Sequence, residues 1–167
     1  GCTILMSKAA FRQGGWPGIR ARLFHGYFLL SRPMTLGVRA VVHDRNGHKV
    51  FLIRHTYVPG WHLPGGGVEK NETVVQALTR ELSEEGNFQL LAPPLLRSLH
   101  FNRHASPRDH VAVFLVEDFR QHLAKAPDRE IADSGFFALD ELPEMTTPGT
   151  RRRIAETFEG APVSEYW

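Results

Sequence analysis

Apolar positions along this chain recur with two different periods. Residues 18–31, GIRARLFHGYFLLS, set Ile19, Leu23, Tyr27 and Leu30 near one helical stripe, and Phe24, Phe28 and Leu29 fill most of the remaining surface. This pattern predicts a helix apolar nearly all round, packed on the domain or on a second subunit as in a homodimer. The flanking arginines also suit a helix lying on a membrane surface. Pro33 ends it, because proline disfavours helical backbone in the residue before it. Residues 36–42 and 49–54 are β-rich, and DRNGH between them carries an Asn-Gly turn signal, so a hairpin is predicted. After a loop dense in glycine, proline and aromatics, helical spacing returns: Val74 or Val75, Leu78 and Leu82 mark a buried face, with Asn71 as the cap of a helix starting at Glu72. Residues 95–102 and 110–116 predict a second hairpin, turning around Ser106, Pro107, Arg108 and Asp109. A short strand over 135–139, a helical turn over 140–144 and a closing helix over 150–158, capped by Thr147 or Thr150, complete the order. Strands and helices in this sequence fit a mixed sheet between helices.

Length and composition narrow the class. A chain of 167 residues, 42% hydrophobic and 23% charged, has the make-up of one soluble globular domain with a sizeable core. No apolar run reaches the length of a membrane span, so stable membrane insertion is not expected. The N-terminus lacks a secretory pattern, and Met6 reads as a candidate start behind residues 1–5. The lone Cys2 leaves no internal disulfide and suits a reducing cytoplasm. The net charge of +2 hides an asymmetry: residues 1–60 hold nine lysines and arginines against Asp44 alone, and the remainder holds eleven against seventeen acids. A basic first third beside an acidic remainder suits a polyanionic substrate with a counter-cation.

The acidic side of that asymmetry has one focus. In RELSEE, Glu81, Glu84 and Glu85 stand at i, i+3 and i+4, spacings that share a helical face. Like charges so placed destabilise a helix by a few tenths of a kcal/mol per pair, roughly. Beside a glycine-rich turn they suit a hard divalent cation such as Mg²⁺, which takes carboxylate oxygens and substrate phosphates together.

The wider spacing is more specific. Gly66, five residues, Glu72, seven residues, Arg80, Glu81, Leu82, one residue, Glu84, Glu85 and the apolar Phe88 resemble the Nudix box of the Nudix hydrolase family over residues 66–88. One specified position departs: Asn87 stands where the family has a glycine that closes the helix in a left-handed conformation; asparagine is the next-best residue for that backbone, so either Gly86 or Asn87 is expected to be the left-handed residue. Weaker likeness runs from about Leu36 to Leu142 and takes in Trp61, Pro64, Gly65 and Gly66 before the box and the Asp140-Glu141-Leu142-Pro143 segment after it. The resemblance implies an α/β fold, a Nudix-like α/β/α sandwich with a mixed β-sheet and a loop-helix-loop metal site. It divides the chain into an N-terminal extension with a helix over 1–33, the domain over 34–160 and a tail over 161–167.

The resemblance also implies a chemistry: divalent-metal-dependent hydrolysis of a phosphoanhydride in a nucleoside diphosphate linked to another moiety, with Mg²⁺ or Mn²⁺, one to three ions, as cofactor. By that likeness Glu84 and Glu85 are metal ligands, Glu81 a ligand or the general base, and the Gly65 carbonyl a further ligand. Arg80 orients the glutamates, with Glu72 in support. A later acidic residue often joins such sites. Glu130, in a Glu-Ile-four residues-Phe-Phe segment, is the candidate and Glu117 the second choice. Arg54, His55, Tyr57, Trp61 and His62, on the strand end and loop before the box, are candidate substrate contacts, with Trp61 or Tyr57 stacking a base and Arg54 holding phosphate. Trp61 also fits a packing role under the loop. His100, His104 and His110 lack ligand spacing and read as surface or strand histidines. Two alternatives stand beside the small nucleotide substrate: removal of pyrophosphate from an RNA 5′ end, which the basic first third favours, and a non-catalytic nucleotide-binding module, which the intact glutamates disfavour. Position 103 is arginine and no tyrosine lies between Phe88 and Glu165, so two subfamily marks, for ADP-ribose and for dinucleoside polyphosphates, are missing.

Overall fold

The computed structural model describes residues 15–167. The expectations for Cys2, Met6, Lys8 and Arg12 lie outside them. The chain divides into two units at Pro33 and Met34. In the first, helix α1 (Gly15–Ser31) takes up the apolar segment, with Phe24 and Phe28 edge to face at 4.5 Å. Arg32 closes its end, stacked over Phe28 with its own amide donating to the Phe28 carbonyl. No helix among the described residues is long and apolar enough to cross a membrane.

The second unit is built on a five-stranded sheet made from β1 (Thr35–Asp44), β2 (Lys49–His55), β4 (Leu95–Phe101), β5 (Asp109–Val116) and β7 (Ile131–Ala138), in the order β4-β5-β1-β2-β7. Only β1 and β5 run parallel, so the sheet is mixed. Strand alternation splits the apolar residues between two layers. Val38, Ala40, Val42, Phe51 and Ile53 pack under helix α2 (Val74–Gly86) against Ala77, Leu78 and Leu82. Val41, Val50, Leu52 and Val113 face the opposite way, toward Leu63 of the loop before α2 and Ile154 of helix α3 (Pro148–Phe158). This is the expected α/β/α sandwich. Two three-residue strands, β3 (Phe88–Leu90) and β6 (Phe119–Gln121), pair beside it and are too short for a periodic signal.

The first hairpin differs from the expected one in a way that makes the site. Strands β1 and β2 pair only at His43 with Val50 and Asp44 with Lys49. Beyond that they part, and the loop before α2 fills the gap. His62 exchanges both backbone hydrogen bonds with Ile53 of β2, while Ala40 donates to the Pro64 carbonyl and Val38 to the Gly66 carbonyl on the β1 side. Gly65, with φ of 136°, lies so close to β1 that a Cβ there would overlap the Val38 carbonyl. The left-handed residue of the β1–β2 turn is His48, φ 49°, rather than Asn46 or Gly47.

Helix α2 starts two residues later than expected. Its cap is Thr73, in a reciprocal capping box with Gln76, whereas Asn71 is itself left-handed at φ 64°. Glu72 stays outside the helix. At the other end Asn87, not Gly86, is the left-handed residue that closes α2, with φ 55° and ψ 33°. Asn87→Ala is expected to cost about 1 kcal/mol, the left-handed penalty of a residue with a Cβ and no polar side chain, whereas Asn87→Gly stays within about 0.5 kcal/mol of the wild type. Urea denaturation of the three proteins checks this; equal midpoints for wild type and Asn87→Ala count against it. The expected helical turn at 140–144 is instead a pair of hydrogen-bonded turns, Glu141 to Ala138 and Thr146 to Pro143.

Candidate active site

The inserted loop and α2 meet at Gly65 and Gly66. The Gly65 amide donates to Glu85 Oε2 at 2.6 Å. A Cβ on Gly66 would overlap the Glu81 carboxylate, so this glycine leaves the space in which Glu81 lies. Glu85 is 8% exposed, and its carboxyl is pushed up to about 7, first by burial and then by the neighbouring charges of Glu81 and Glu130, against the opposing pull of the Gly65 amide and Arg39. Glu84 points to solvent with a side chain 60% exposed. The three glutamates share a helix face, yet only Glu81 and Glu85 are turned into the loop. Among the described residues no three His, Cys, Asp or Glu side chains are gathered in a ready-made cage.

Arg80 is the frame of this arrangement. Its Nε and Nη2 donate to the two oxygens of Glu72 at 2.9 and 3.1 Å, Nη1 donates to Glu81 Oε1 at 2.7 Å, and Glu84 Oε2 lies 3.5 Å away. Nη2 also reaches the Gly67 carbonyl at 3.1 Å, tying the loop to the helix. The Arg80 fork holds the Glu72 carboxyl below its usual range, helped by the Glu69 amide. Arg80 thus joins Glu72, Glu81 and the Gly67 carbonyl in one set of contacts.

Strand β2 ends in His55, whose Nε2 lies 3.9 Å from Glu85 Oε1 and whose Nδ1 is buried without a partner among the described residues. Burial, then the charge of Arg39, lowers the pKa of His55, and burial lowers that of His62. Glu130 is drawn to the same place, since its carbonyl accepts from the Thr56 amide at 2.9 Å and its charge reaches both Glu85 and His55. Glu117 sits elsewhere, bound to His43 at 2.8 Å.

Arg54, Tyr57 and Trp61 line, with His55, a cleft of about 410 Å³ formed by residues 54–61 and Met145, whereas His62 does not. Tyr57 is exposed there and tilts over His55 at 5.0 Å. Trp61 packs edge to face on Phe137 at 4.7 Å, which favours its packing role. Arg54 lies over the Trp61 ring and pairs with Asp133 at 3.6 Å. His100 is fully buried, between Ser98 and the Ser164 carbonyl. A second cleft, of about 570 Å³, opens on the β1 side of the loop and takes in Gly37, Arg39, His62, Gly66, Gly67 and Trp167. Arg39 has no signal in the sequence, because a charged residue in an alternating strand reads as a solvent-facing one.

A divalent cation fits these residues. Burial, with a smaller push from the charges of Glu81 and Glu130, raises the Glu85 carboxyl to about 7, and a cation held there would return it to the ionised form. Oxygen donors are also what Mg²⁺ and Mn²⁺ prefer.

The chain belongs to the Nudix hydrolase family: residues 33–158 match the family model described as NUDIX domain. Among curated proteins it is similar to the NAD-capped RNA hydrolase NudC of Pectobacterium carotovorum subsp. carotovorum (strain PC1), with 31% identity over 121 residues, covering 70% of this chain and 45% of that protein. The chain therefore spans just under half the length of the curated relatives it matches. Among solved structures, a MutT NUDIX hydrolase from Burkholderia pseudomallei superposes with a TM-score of 0.62 at 27% identity, covering 72% of this chain and 95% of that one. An ADP-ribose pyrophosphatase from Streptococcus suis shares the fold, with a TM-score of 0.55 at 24% identity over 80% of this chain and 95% of the other.

Proposed function

We propose that this protein hydrolyses a phosphoanhydride bond in a nucleoside diphosphate linked to another moiety, using Mg²⁺ or Mn²⁺. The observation that supports this most is the buried Glu85 carboxylate on the Gly65 amide, crowded by the charges of Glu81 and Glu130. Glu81, Glu84, Glu85 and the Gly65 carbonyl are the residues to hold one to three ions, which would supply neutralisation of phosphate charge and a more acidic water. Phosphoryl chemistry of this kind needs positioning and charge more than a covalent intermediate. The chain's own contribution is to fix Glu85 through the Gly65 amide and Glu81 through Arg80, and to present Glu81 or Glu130 as the acceptor for the proton of the attacking water. Arg54 and Tyr57 are the substrate contacts offered by the smaller cleft.

A second reading is the same cleavage at a nucleotide-capped RNA 5′ end. It draws support from the curated relatives named as NAD-capped RNA hydrolases and from the basic first third of the chain. A panel of nucleotide sugars, ADP-ribose, dinucleotides and NAD-capped RNA, run with Mg²⁺, Mn²⁺ or chelator, tests both. The expected result is metal-dependent release of a nucleoside monophosphate from at least one substrate. Preference for capped RNA that falls steeply with added salt selects the second reading. Failure to cleave any of the panel sinks both.

A further inference from the structure

Arg39 lines the larger of these two clefts and its charge acts on Glu85, and its hydrogen bonds leave part of it unused. Nη1 donates to the Leu63 carbonyl at 3.2 Å and, in a very short contact, to the Gly65 carbonyl. Both bonds of Arg39 to described residues use this one nitrogen, and no carboxylate among them forms an ion pair with it. The contrast with neighbouring arginines is direct. Arg80 spends its Nε–Nη2 fork on Glu72, and Arg54 is paired with Asp133. A guanidinium has five donors in a rigid fork that matches two oxygens of a phosphate. On Arg39 the Nη1 hydrogens brace the loop, and the Nε–Nη2 edge remains.

Position gives that edge a meaning. Arg39 is partly buried and lines the cleft of about 570 Å³ together with Gly37, His62, Gly66 and Gly67. Gly66 is where the Glu81 carboxylate lies against the loop. The charge of Arg39 is felt by Glu85, His55 and His62. A cation held beside carboxylates, yet not neutralised by them, suits an anionic ligand that must enter an acidic site.

We propose that Arg39 binds a phosphate of the substrate through its Nε–Nη2 edge, anchoring the diphosphate between the larger cleft and the glutamates at Gly65 and Gly66. This deepens the hydrolase reading above and rests on it. The moiety attached to the anchored phosphate then lies in the larger cleft, and Arg39 acts as a binding residue as well as a brace of the loop.

ADP is the probe. Its affinity is measured by calorimetry with Mg²⁺ for wild type, Arg39→Lys and Arg39→Gln, with circular dichroism to verify the fold. Phenylglyoxal labelling of Arg39, mapped by mass spectrometry, is run on the wild type with and without saturating ADP. Losing the bidentate charged contact is expected to weaken ADP about tenfold or more in Arg39→Gln, with a smaller loss in Arg39→Lys, which keeps the charge without the fork. ADP is expected to protect Arg39 from labelling. A brace alone would lower the melting temperature and leave ADP affinity in place. Unchanged affinity in Arg39→Lys and Arg39→Gln, equal labelling with and without ADP, or no binding of ADP by the wild type overturns the proposal. If Arg39→Gln does not fold, Arg39→Lys and the labelling decide. Cleavage by the wild type with KM unchanged in Arg39→Lys defeats this inference and leaves the hydrolase reading standing. Protection of Arg39 in a protein that cleaves nothing does the reverse.

Discussion

Glu85→Gln is expected to abolish hydrolysis and to leave the fold intact. Glutamine has the same size, and its Oε1 can accept from the Gly65 amide as Glu85 Oε2 does at 2.6 Å. What it loses is the charge that a divalent cation requires. Lewis-acid stabilisation is worth several kcal/mol, so kcat/KM should fall roughly a thousandfold or more. Glu84→Gln should fall less if its exposed carboxylate binds the cation from outside. The matching stability experiment is done in chelator. The folded carboxyl of Glu85 is pushed up to about 7 from an ordinary 4.5. The native state therefore binds more protons than the unfolded one between those values, and this group makes the metal-free protein less stable as pH rises from about 4.5 through 7, levelling off about one unit above. Glu85→Gln removes that contribution. The stability difference, variant minus wild type, should grow across this window toward a ceiling of about 3 kcal/mol at pH 8. Taking the difference cancels the other titrating groups. Full activity in Glu85→Gln, or a difference flat from pH 5 to 8, contradicts the assignment.

The distinct parts of the three glutamates explain how far the sequence could be read. Successive helical residues turn by about 100°, so Glu85 is about 40° from Glu81, whereas Glu84 is about 60° away on the other side. That offset turns Glu81 and Glu85 into the loop and leaves Glu84 in solvent, although all three sit on one face by spacing alone. The second hairpin was legible from two β-rich runs around the turn at residues 106–109 and α3 from its threonine cap, whereas the layering of the sandwich came from the resemblance to the family. The left-handed end of α2 was legible as Gly86 or Asn87, because few other residues tolerate that backbone, but spacing alone does not choose between them. The start of α2 was not: Asn71 and Thr73 are both good caps, and the choice falls to Thr73 because Gln76 answers it across the capping box. The parting of β1 and β2 was hidden as well. It depends on the loop reaching both strands through backbone hydrogen bonds, which leave no pattern in side-chain identity. Arg39 was missed for the same reason, since its partners are two carbonyls of that loop.

A second large effect is expected on α3, at Arg153. This guanidinium is 1% exposed, and burial is the main cause that lowers its pKa. Nη2 donates to Glu156 Oε1 at 2.7 Å, Nη1 to the Tyr166 carbonyl at 3.2 Å, and the group lies 5.3 Å from the Trp167 ring. Glu156 Oε1 also accepts from the Ser164 amide at 3.0 Å. The pair therefore holds residues 164–167 along β4, where Phe101 and Tyr166 form a parallel bridge and Trp167 packs beneath α3 and lines the larger cleft. Arg153→Met should cost about 3 to 5 kcal/mol, because it leaves the Glu156 carboxylate buried and unpaired. The pair itself is poorly satisfied, since Arg153 Nε and Glu156 Oε2 are buried without partners among the described residues. Removing both charges in Arg153→Met with Glu156→Leu should therefore cost much less than the sum of the single variants, and less than Arg153→Met alone. A double-mutant cycle by guanidinium chloride denaturation measures this. A loss under about 1 kcal/mol in Arg153→Met, or additive losses in the double variant, would mean that the aromatic and backbone contacts at Trp167, not the charge pair, hold this segment in place.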